Sequence, residues 1–192
     1  MEKKKVLVFL GQEDRETLSG FLADSYEQGA KDAGHEVKRI NIGDLKFDPL
    51  LHKGYKEIQE LEPDLIRVQE EMKWADHVAL FYPNWWGTMP AILKGMFDRM
   101  FLPGFAFKFH KNSWGWDRLL KGRSARVFIT MNRNPFLMWI LYGDNSNEIE
   151  RNILKFAGFS VRLTEIGPVK NMSDKKRDAL KKKTYELGKK AQ

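Results

Sequence analysis

Val78 to Tyr82 is an unbroken apolar run closed by Pro83, and it restricts the possible folds more than any other stretch of the chain. A strand with one wet face alternates polar and apolar residues, whereas a run without polar positions suits a strand buried on both faces of a parallel sheet. Pro90 then stands where a first helical turn tolerates a missing N–H, and Ala91, Ile92, Leu93, Met96, Phe97 and Met100 supply an apolar helical face behind it. The loop from Pro83 to Met89 is therefore expected at the carboxyl end of a central strand, where open parallel sheets bind ligands. Trp85 and Trp86 occupy that loop. Two readings stand for the pair: flat walls for a planar heteroaromatic ligand, or packing beneath the following helix.

The rest of the chain alternates strand and helix. Val6 to Leu10 reads as a buried strand, and Thr17 to Ala33 carries a helical pattern through Leu18, Phe21, Leu22, Tyr26 and Ala30. In the turn between them, Thr17 and Ser19 can cap the helix or meet an anion at its electropositive N-terminus. Glu13, Asp14 and Glu16 crowd the same turn. One carboxylate about 8 Å from a phosphate costs on the order of 2 kcal/mol at an effective dielectric near 20, so the acids are expected to point outward, with Arg15 offsetting part of their field.

Glu36 to Ile42 mixes charge with Val37 and Ile40 and reads as an edge strand, and Leu65 to Trp74 reads as a helix. Ala125 to Thr130 and Phe159 to Ile166 read as further strands. Between them Gly143 to Ser146 supplies a turn and cap for a helix through Ile149, Ile153, Leu154 and Phe156. Ser173 caps a last helix, Asp174 to Lys190. With right-handed crossovers this order gives an α/β fold, a five-stranded parallel sheet in order 2-1-3-4-5 with helices on both faces. Leu102 to Lys121 reads as a long irregular segment, and its Phe105, Phe107, Phe109, Trp114 and Trp116 call for a covering surface such as a second subunit.

At 192 residues one domain, 1–192, is the simplest organisation. With no cysteine there is no disulfide scaffold, thiolate nucleophile or Cys-held metal. No leading apolar segment or membrane-length run is present, so a cytoplasmic protein is expected. The net charge of +7 raises nucleic acid as a partner, but much of the excess lies in Lys3 to Lys5 and Lys175 to Lys190 without interleaved aromatics, and no nucleic acid is expected. His52 lacks a spaced partner and reads as a surface residue, while two readings stand for His110, beside Lys111 and close to Lys108: a catalytic group or a surface residue. Metal-ligand clusters, a nucleophile elbow and a Walker-type loop are missing from the sequence.

Tyr82-Pro83-Asn84-Trp85-Trp86, followed by Met89-Pro90-Ala91-Ile92-Leu93-Lys94-Gly95, Asp98-Arg99 and Gly104-Phe105-Ala106, resembles the flavodoxin-like NAD(P)H:quinone oxidoreductases. Weaker agreement extends from Lys5 to about Pro168. The resemblance implies a homodimeric flavoprotein, with FMN favoured over FAD, that takes hydride from NAD(P)H and passes two electrons to a quinone or similar acceptor. The Trp-lined loop and the loop of Arg133 are expected to leave one flavin face open, so that the two substrates use it in turn. An alternative is a flavodoxin-like regulatory subunit of a membrane transporter.

By resemblance, Pro83, Asn84, Trp85 and Trp86 contact the isoalloxazine ring, and Gln12, Thr17, Leu18 and Ser19 hold the phosphate. Thr130, Met131, Asn132 and Arg133 border the flavin pyrimidine. Gln12 and Thr17-Leu18-Ser19 replace a His and a Ser-Phe-Asn, and Thr130-Met131-Asn132-Arg133-Asn134 lacks the two Gly of well-known members, resembling instead a branch with Thr-Met-Asp-Thr-Pro. Two roles stand for Arg133: countering negative charge on a reduced flavin or nicotinamide phosphate, or simple solvation. Tyr142, in a Tyr-Gly-Asp that resembles a His-Gly-Asp, replaces a His that helps stabilise reduced flavin, and its phenol still donates one hydrogen bond.

Overall fold

The computed structural model describes residues 2–111, 113–144 and 146–192. Its main sheet is parallel, built from β1 (Lys5–Leu10), β2 (Glu36–Asn41), β3 (His77–Pro83), β6 (Ser124–Thr130) and β7 (Ser160–Ile166), in order β2-β1-β3-β6-β7. Counting only these five, that is the expected 2-1-3-4-5. Register runs Phe9↔Leu80 and Leu80↔Val127, which aligns the exit loops of β1, β3 and β6 along one sheet edge. The apolar runs are central because both faces are covered: Leu7, Phe9, Leu80 and Val127 point into one core, and Val6, Val8, Phe81 and Phe128 into the other. Phe81 and Phe128 stack across adjacent strands, centroids 4.3 Å apart. β2, mixed in charge, lies at the edge as expected.

Helices α1 (Leu18–Asp32) and α5 (Asp174–Lys190) cover one face, while α2 (Pro63–Trp74) and α3 (Ala91–Met100) cover the other. α1 and α5 meet on glycine. A Cβ at Gly29 would stand 2.1 Å from the Tyr185 carbonyl oxygen, and one at Gly188 2.1 Å from that of Tyr26, so neither position admits a side chain without parting the helices. Pro90 precedes α3 as its cap rather than opening its first turn. Arg99, 1% exposed, reaches from α3 into the loop before α2. Its fork meets both Glu62 carboxylate oxygens at 3.0 and 3.1 Å, and it donates to the Asp48 and Glu60 carbonyls.

Three segments differ from the sequence expectation. Within Leu102 to Lys121 the chain forms a hairpin, β4 (Phe107–Phe109) against β5 (Trp116–Arg118), antiparallel. Most of its aromatics are covered within the chain: Phe105 is buried, Phe107 packs on Phe156, and Trp116 stacks on Phe156 at 4.5 Å. Phe109 and Trp114 stay exposed. Pro135–Tyr142 is a helix, α4, capped by the Asn134 side chain, which accepts from the Phe136 and Leu137 N–H groups at 2.9 and 3.4 Å. The helix expected after Ser146 is wound as a π-helix over Glu148–Lys155 before an α turn brings it to Gly158. Asn145, part of the turn and cap expected there, lies outside the described residues.

Candidate active site

β1, β3, β6 and β7 deliver their exit loops to one cleft of about 330 Å³ at the carboxyl edge of the sheet. The first loop contributes Gln12, Thr17, Leu18 and Ser19, the β3 exit Pro83, Asn84 and Trp85, and the β6 exit Thr130, Met131 and Asn132. Backbone hydrogen bonds lace the loops together: Asn84 N–H to the Thr130 carbonyl at 2.7 Å, Met131 N–H to Ile166 at 2.9 Å and Val169 N–H to Met131 at 3.1 Å. Val169, in the loop after β7, also lines the cleft, and the sequence reading missed it. The signal was available: a parallel β7 must release its exit loop at the same edge.

At the start of α1, Thr17 is the N-cap and its Oγ1 accepts from the Gly20 N–H at 3.2 Å. The N–H groups of Leu18 and Ser19, in the first turn, have no intrahelical acceptor and belong to the electropositive helix end. Ser19 Oγ lies 3.0 Å from Thr130 Oγ1, a hydroxyl pair joining the β1 and β6 exits. Gln12 is 4% exposed and directs its side-chain nitrogen to the Asp14 carbonyl at 2.6 Å and to Thr17 Oγ1 at 2.5 Å. Its amide N–H groups therefore shape the loop and are not turned toward a ligand.

Two of the three acids depart from expectation, and Glu16, exposed, does not line the cleft. Glu13 and Asp14 are exposed but line the cleft, while Arg15 pairs with Asp44 outside it. The cause is local: Asp14 Oδ1 accepts the Glu16 N–H at 2.8 Å, a side-chain turn that holds the carboxylate beside the loop.

The Trp pair is not core. Trp85 is 50% exposed and Trp86 fully so. Trp85 and Thr88 exchange backbone hydrogen bonds at 2.9 and 3.1 Å around a tight turn, with φ of 56° at Trp86 and 85° at Gly87. Positive φ at both central residues is the type I′ pattern; glycine adopts it freely, but a bulky aromatic does so at a cost of about 1–2 kcal/mol. Gly87 N–H donates to Asn84 Oδ1 at 2.9 Å and locks the turn. The strained residue is thus the one whose ring stands clear of the protein.

Trp86, Arg133 and Tyr142 are not among the residues lining the cleft. Arg133 is exposed on the loop leading to α4, and Tyr142 ends that helix, 70% exposed. The buried phenol nearest the cleft by sequence is Tyr82. Burial, with the negative charges of Glu148 and Glu165, raises its pKa well above the ordinary phenol value. His52 and His110 are exposed, each paired with an aspartate, Asp48 at 2.6 Å and Asp117 at 2.9 Å.

A doubly covered parallel sheet with a helix N-terminus and three further loops around one edge cleft defines a nucleotide-type binding fold of the flavodoxin kind. Residues 4–190 match the family described as Flavodoxin-like fold, and the chain belongs to it. Among its relatives is the human ribosyldihydronicotinamide dehydrogenase [quinone], 31% identical over 159 residues, which cover 78% of this chain and 66% of that one. An uncharacterized NAD(P)H oxidoreductase of Haemophilus influenzae is 31% identical over 135 residues, 67% of this chain and 64% of its own. The chain thus spans just under two thirds of either relative. A solved NAD(P)H:quinone oxidoreductase from Methanothermobacter marburgensis shares the fold, with a TM-score of 0.82 at 20% identity over the whole of both chains.

Proposed function

We propose that the protein is a flavin-dependent NAD(P)H oxidoreductase that passes two electrons to a quinone or similar acceptor. One observation carries this: Thr17, Leu18, Ser19, Pro83, Asn84, Trp85, Thr130, Met131 and Asn132, assigned to a flavin by resemblance, line one cleft. FMN is favoured over FAD. A bound flavin supplies the hydride chemistry.

The chain's own work is positional and electrostatic. The Leu18 and Ser19 N–H groups and the Ser19 and Thr130 hydroxyls hold the phosphate, against the opposing field of Glu13 and Asp14. The β3 exit supplies a wall and backbone donors for the ring system, and Asn132 borders the opposite edge. Tyr142 donates a hydrogen bond, and Arg133 positive charge, only if α4 or a ligand brings them toward the cleft. Were these loops to cover one face of a bound flavin, nicotinamide and quinone would have to use the other in turn, because the donor carbon must approach to about 3–3.5 Å. The expected kinetics are ping-pong. Initial rates at several fixed quinone concentrations test this; intersecting double-reciprocal lines would reveal a ternary complex. A Tyr142→Phe variant should reduce more slowly with FMN still bound, and an unchanged rate removes Tyr142 from the mechanism.

A homodimer is part of the same proposal. Its support is an apolar groove of about 790 Å³ between Leu51, Tyr55, Ile58, Phe101, Phe107 and Phe109, rimmed by a 92% exposed Ile58. Light scattering well above assay concentration tests it, and a monomer mass contradicts it.

A further inference from the structure

Two arginines stand side by side on the sheet face that α1 and α5 cover. Strand alternation puts Ser124, Arg126 and Phe128 of β6 on one face, and Phe128 lies in the core beneath those helices. On β7 the same face takes Arg162, Thr164 and Ile166. Arg126 and Arg162 are register partners on adjacent parallel strands, and like charges set directly opposite one another destabilise a sheet. Burial, and after it the facing Arg162 charge, lower the pKa of Arg126. Among the described residues neither arginine forms a salt bridge. Arg126 donates from one terminal nitrogen to the Thr164 hydroxyl at 2.8 Å, while its buried Nε finds no acceptor.

His77 adds a buried donor. It pairs in register with Ser124, one diagonal step from Arg126, and is 2% exposed. The Ser124 hydroxyl has one proton to give, and it lies 2.8 Å from His77 Nδ1 against 3.4 Å from the Asp76 carbonyl. The shorter contact takes it, so Nδ1 accepts and the neutral ring carries its own proton on Nε2. That N–H finds no acceptor among the described residues. The charges that weigh most on the ring, those of Lys4, Arg126, His35 and Arg162, are all positive. Acids are turned elsewhere. Glu165 alternates to the opposite face, where its charge acts on Tyr82. Asp24 and Glu27 on the other flank of α1 pair with Arg39 of β2, so α5 lies on the β6 side of α1. Because α5 meets α1 along Lys181, Tyr185 and Gly188, helical phase puts Lys183 and Lys190 on its far flank, toward β7. Glu186, the nearest acid of that flank, is paired with Lys189.

We propose that Arg126, Arg162 and His77 form a binding site for a phosphate-class dianion, either inorganic phosphate or the phosphate group of a small ester. A dianion matches the two guanidinium charges, whose planar forks donate in pairs to phosphate oxygens, and it gives the unpartnered Arg126 Nε and His77 Nε2 groups an acceptor. Arg162, exposed at the rim, is free to close over the ligand. The far flank of α5 adds a positive field that draws anions in. Single-stranded nucleic acid fits this face poorly, since it needs aromatic platforms for its bases, and none of the exposed large aromatics among the described residues lies on β6, β7 or α5. The site is separate from the cleft: Arg126 lies four residues back along β6 from Thr130, about 13 Å at strand rise. It therefore stands independently of the oxidoreductase reading.

Calorimetric titration of the full chain in phosphate-free, low-salt buffer tests the proposal, with inorganic phosphate and with glycerol 3-phosphate as probes. Each titration is run with saturating FMN and again on Ser19→Glu, so that an anion at the start of α1 is not counted. One site per chain is expected, with a Kd at or below about 1 mM for at least one probe; the tighter probe identifies the source. Arg162→Gln, at an exposed position, should weaken binding at least about tenfold, and Arg126→Lys, which keeps the charge but loses the fork, should also weaken it. Lys56→Gln removes the same charge from the loop before α2, whose Tyr55 bonds to α3 on the other face, and should change nothing. Imidazole nitrogen NMR, with His77 assigned by its loss in His77→Gln, should show the Nε2–H tautomer and a shift of Nε2 on adding phosphate that Arg162→Gln abolishes. No saturable binding overturns the proposal. So does binding that Arg162→Gln retains or Lys56→Gln weakens equally, or a His77 proton found on Nδ1. A chain that takes up no flavin but binds phosphate in the Ser19→Glu background defeats the enzyme reading and leaves this site standing.

Discussion

His77 starts β3 in the centre of the sheet, 2% exposed, its Nδ1 2.8 Å from the Ser124 hydroxyl and its ring stacked 6.2 Å from Tyr26. Among the described residues its Nε2 has no partner. Burial, and then the nearby positive charges of Lys4 and Arg126 with His35 and Arg162, lower its pKa from 6.5 to about 3. The folded protein therefore keeps this ring neutral at pH values where the unfolded chain binds a proton. Stability from this group is fully present above pH 6.5 and is lost as pH falls from there toward 3. Each pKa unit is worth about 1.4 kcal/mol, so going from pH 7.5 to pH 5 should cost about 2 kcal/mol through His77 alone. Asp48, Glu62 and Asp144, whose pKa values are lowered, act mainly below pH 4 and cancel in a comparison with a variant. Urea unfolding of wild type and His77→Gln at both pH values is the assay. The variant is expected to be less stable at pH 7.5 but to lose about 2 kcal/mol less on acidification. Equal losses in the two proteins would refute the claim that His77 is held neutral.

Arg99→Ala leaves Glu62 and two carbonyls without their partner and should destabilise by about 3–5 kcal/mol in chemical unfolding; Arg99→Lys, lacking the fork, should recover only part of that. Gly29→Ala forces a Cβ toward the Tyr185 carbonyl and should cost more than about 2 kcal/mol, whereas Gly54→Ala meets nothing within 4 Å and should cost only its backbone strain, about 1 kcal/mol. Glu13→Gln removes one negative charge from the cleft and should tighten FMN binding, about tenfold at low salt and less at high salt, in a fluorescence titration.

Sheet order was legible because the central strands announce themselves: Val6 to Leu10 and Val78 to Tyr82 are unbroken apolar runs, Ala125 to Thr130 holds the apolar Val127-Phe128-Ile129, and parallel connection fixes the rest. The hairpin escaped because Phe107–Phe109 and Trp116–Arg118 are only three residues each, too short for a period to show. α4 escaped for another reason. A stretch that is apolar at every position has no 3.6-residue rhythm, and only Asn134-Pro135, a cap followed by a first-turn proline, marked the helix. In the cleft, residue types and loop ends were readable, but contacts between distant segments were not: nothing local in Ser19 points to Thr130, and nothing in Glu13 shows that it borders the cleft. The exposure of Trp86 was likewise hidden, since its left-handed backbone follows from the turn that Thr88 and Asn84 close.

Flavin binding at the edge cleft is the claim on which the functional reading stands, and a titration of the purified full chain with FMN tests it most directly. The protein is expected to purify yellow, with flavin absorbance bands, or to bind added FMN at one site per chain with quenching of flavin fluorescence. Ser19→Glu, which sets a carboxylate at the helix N-terminus where the phosphate belongs, should weaken that binding by at least about a hundredfold, equivalent to ~3 kcal/mol. A colourless protein that binds neither FMN nor FAD, or FMN binding that Ser19→Glu leaves unchanged, would contradict the account.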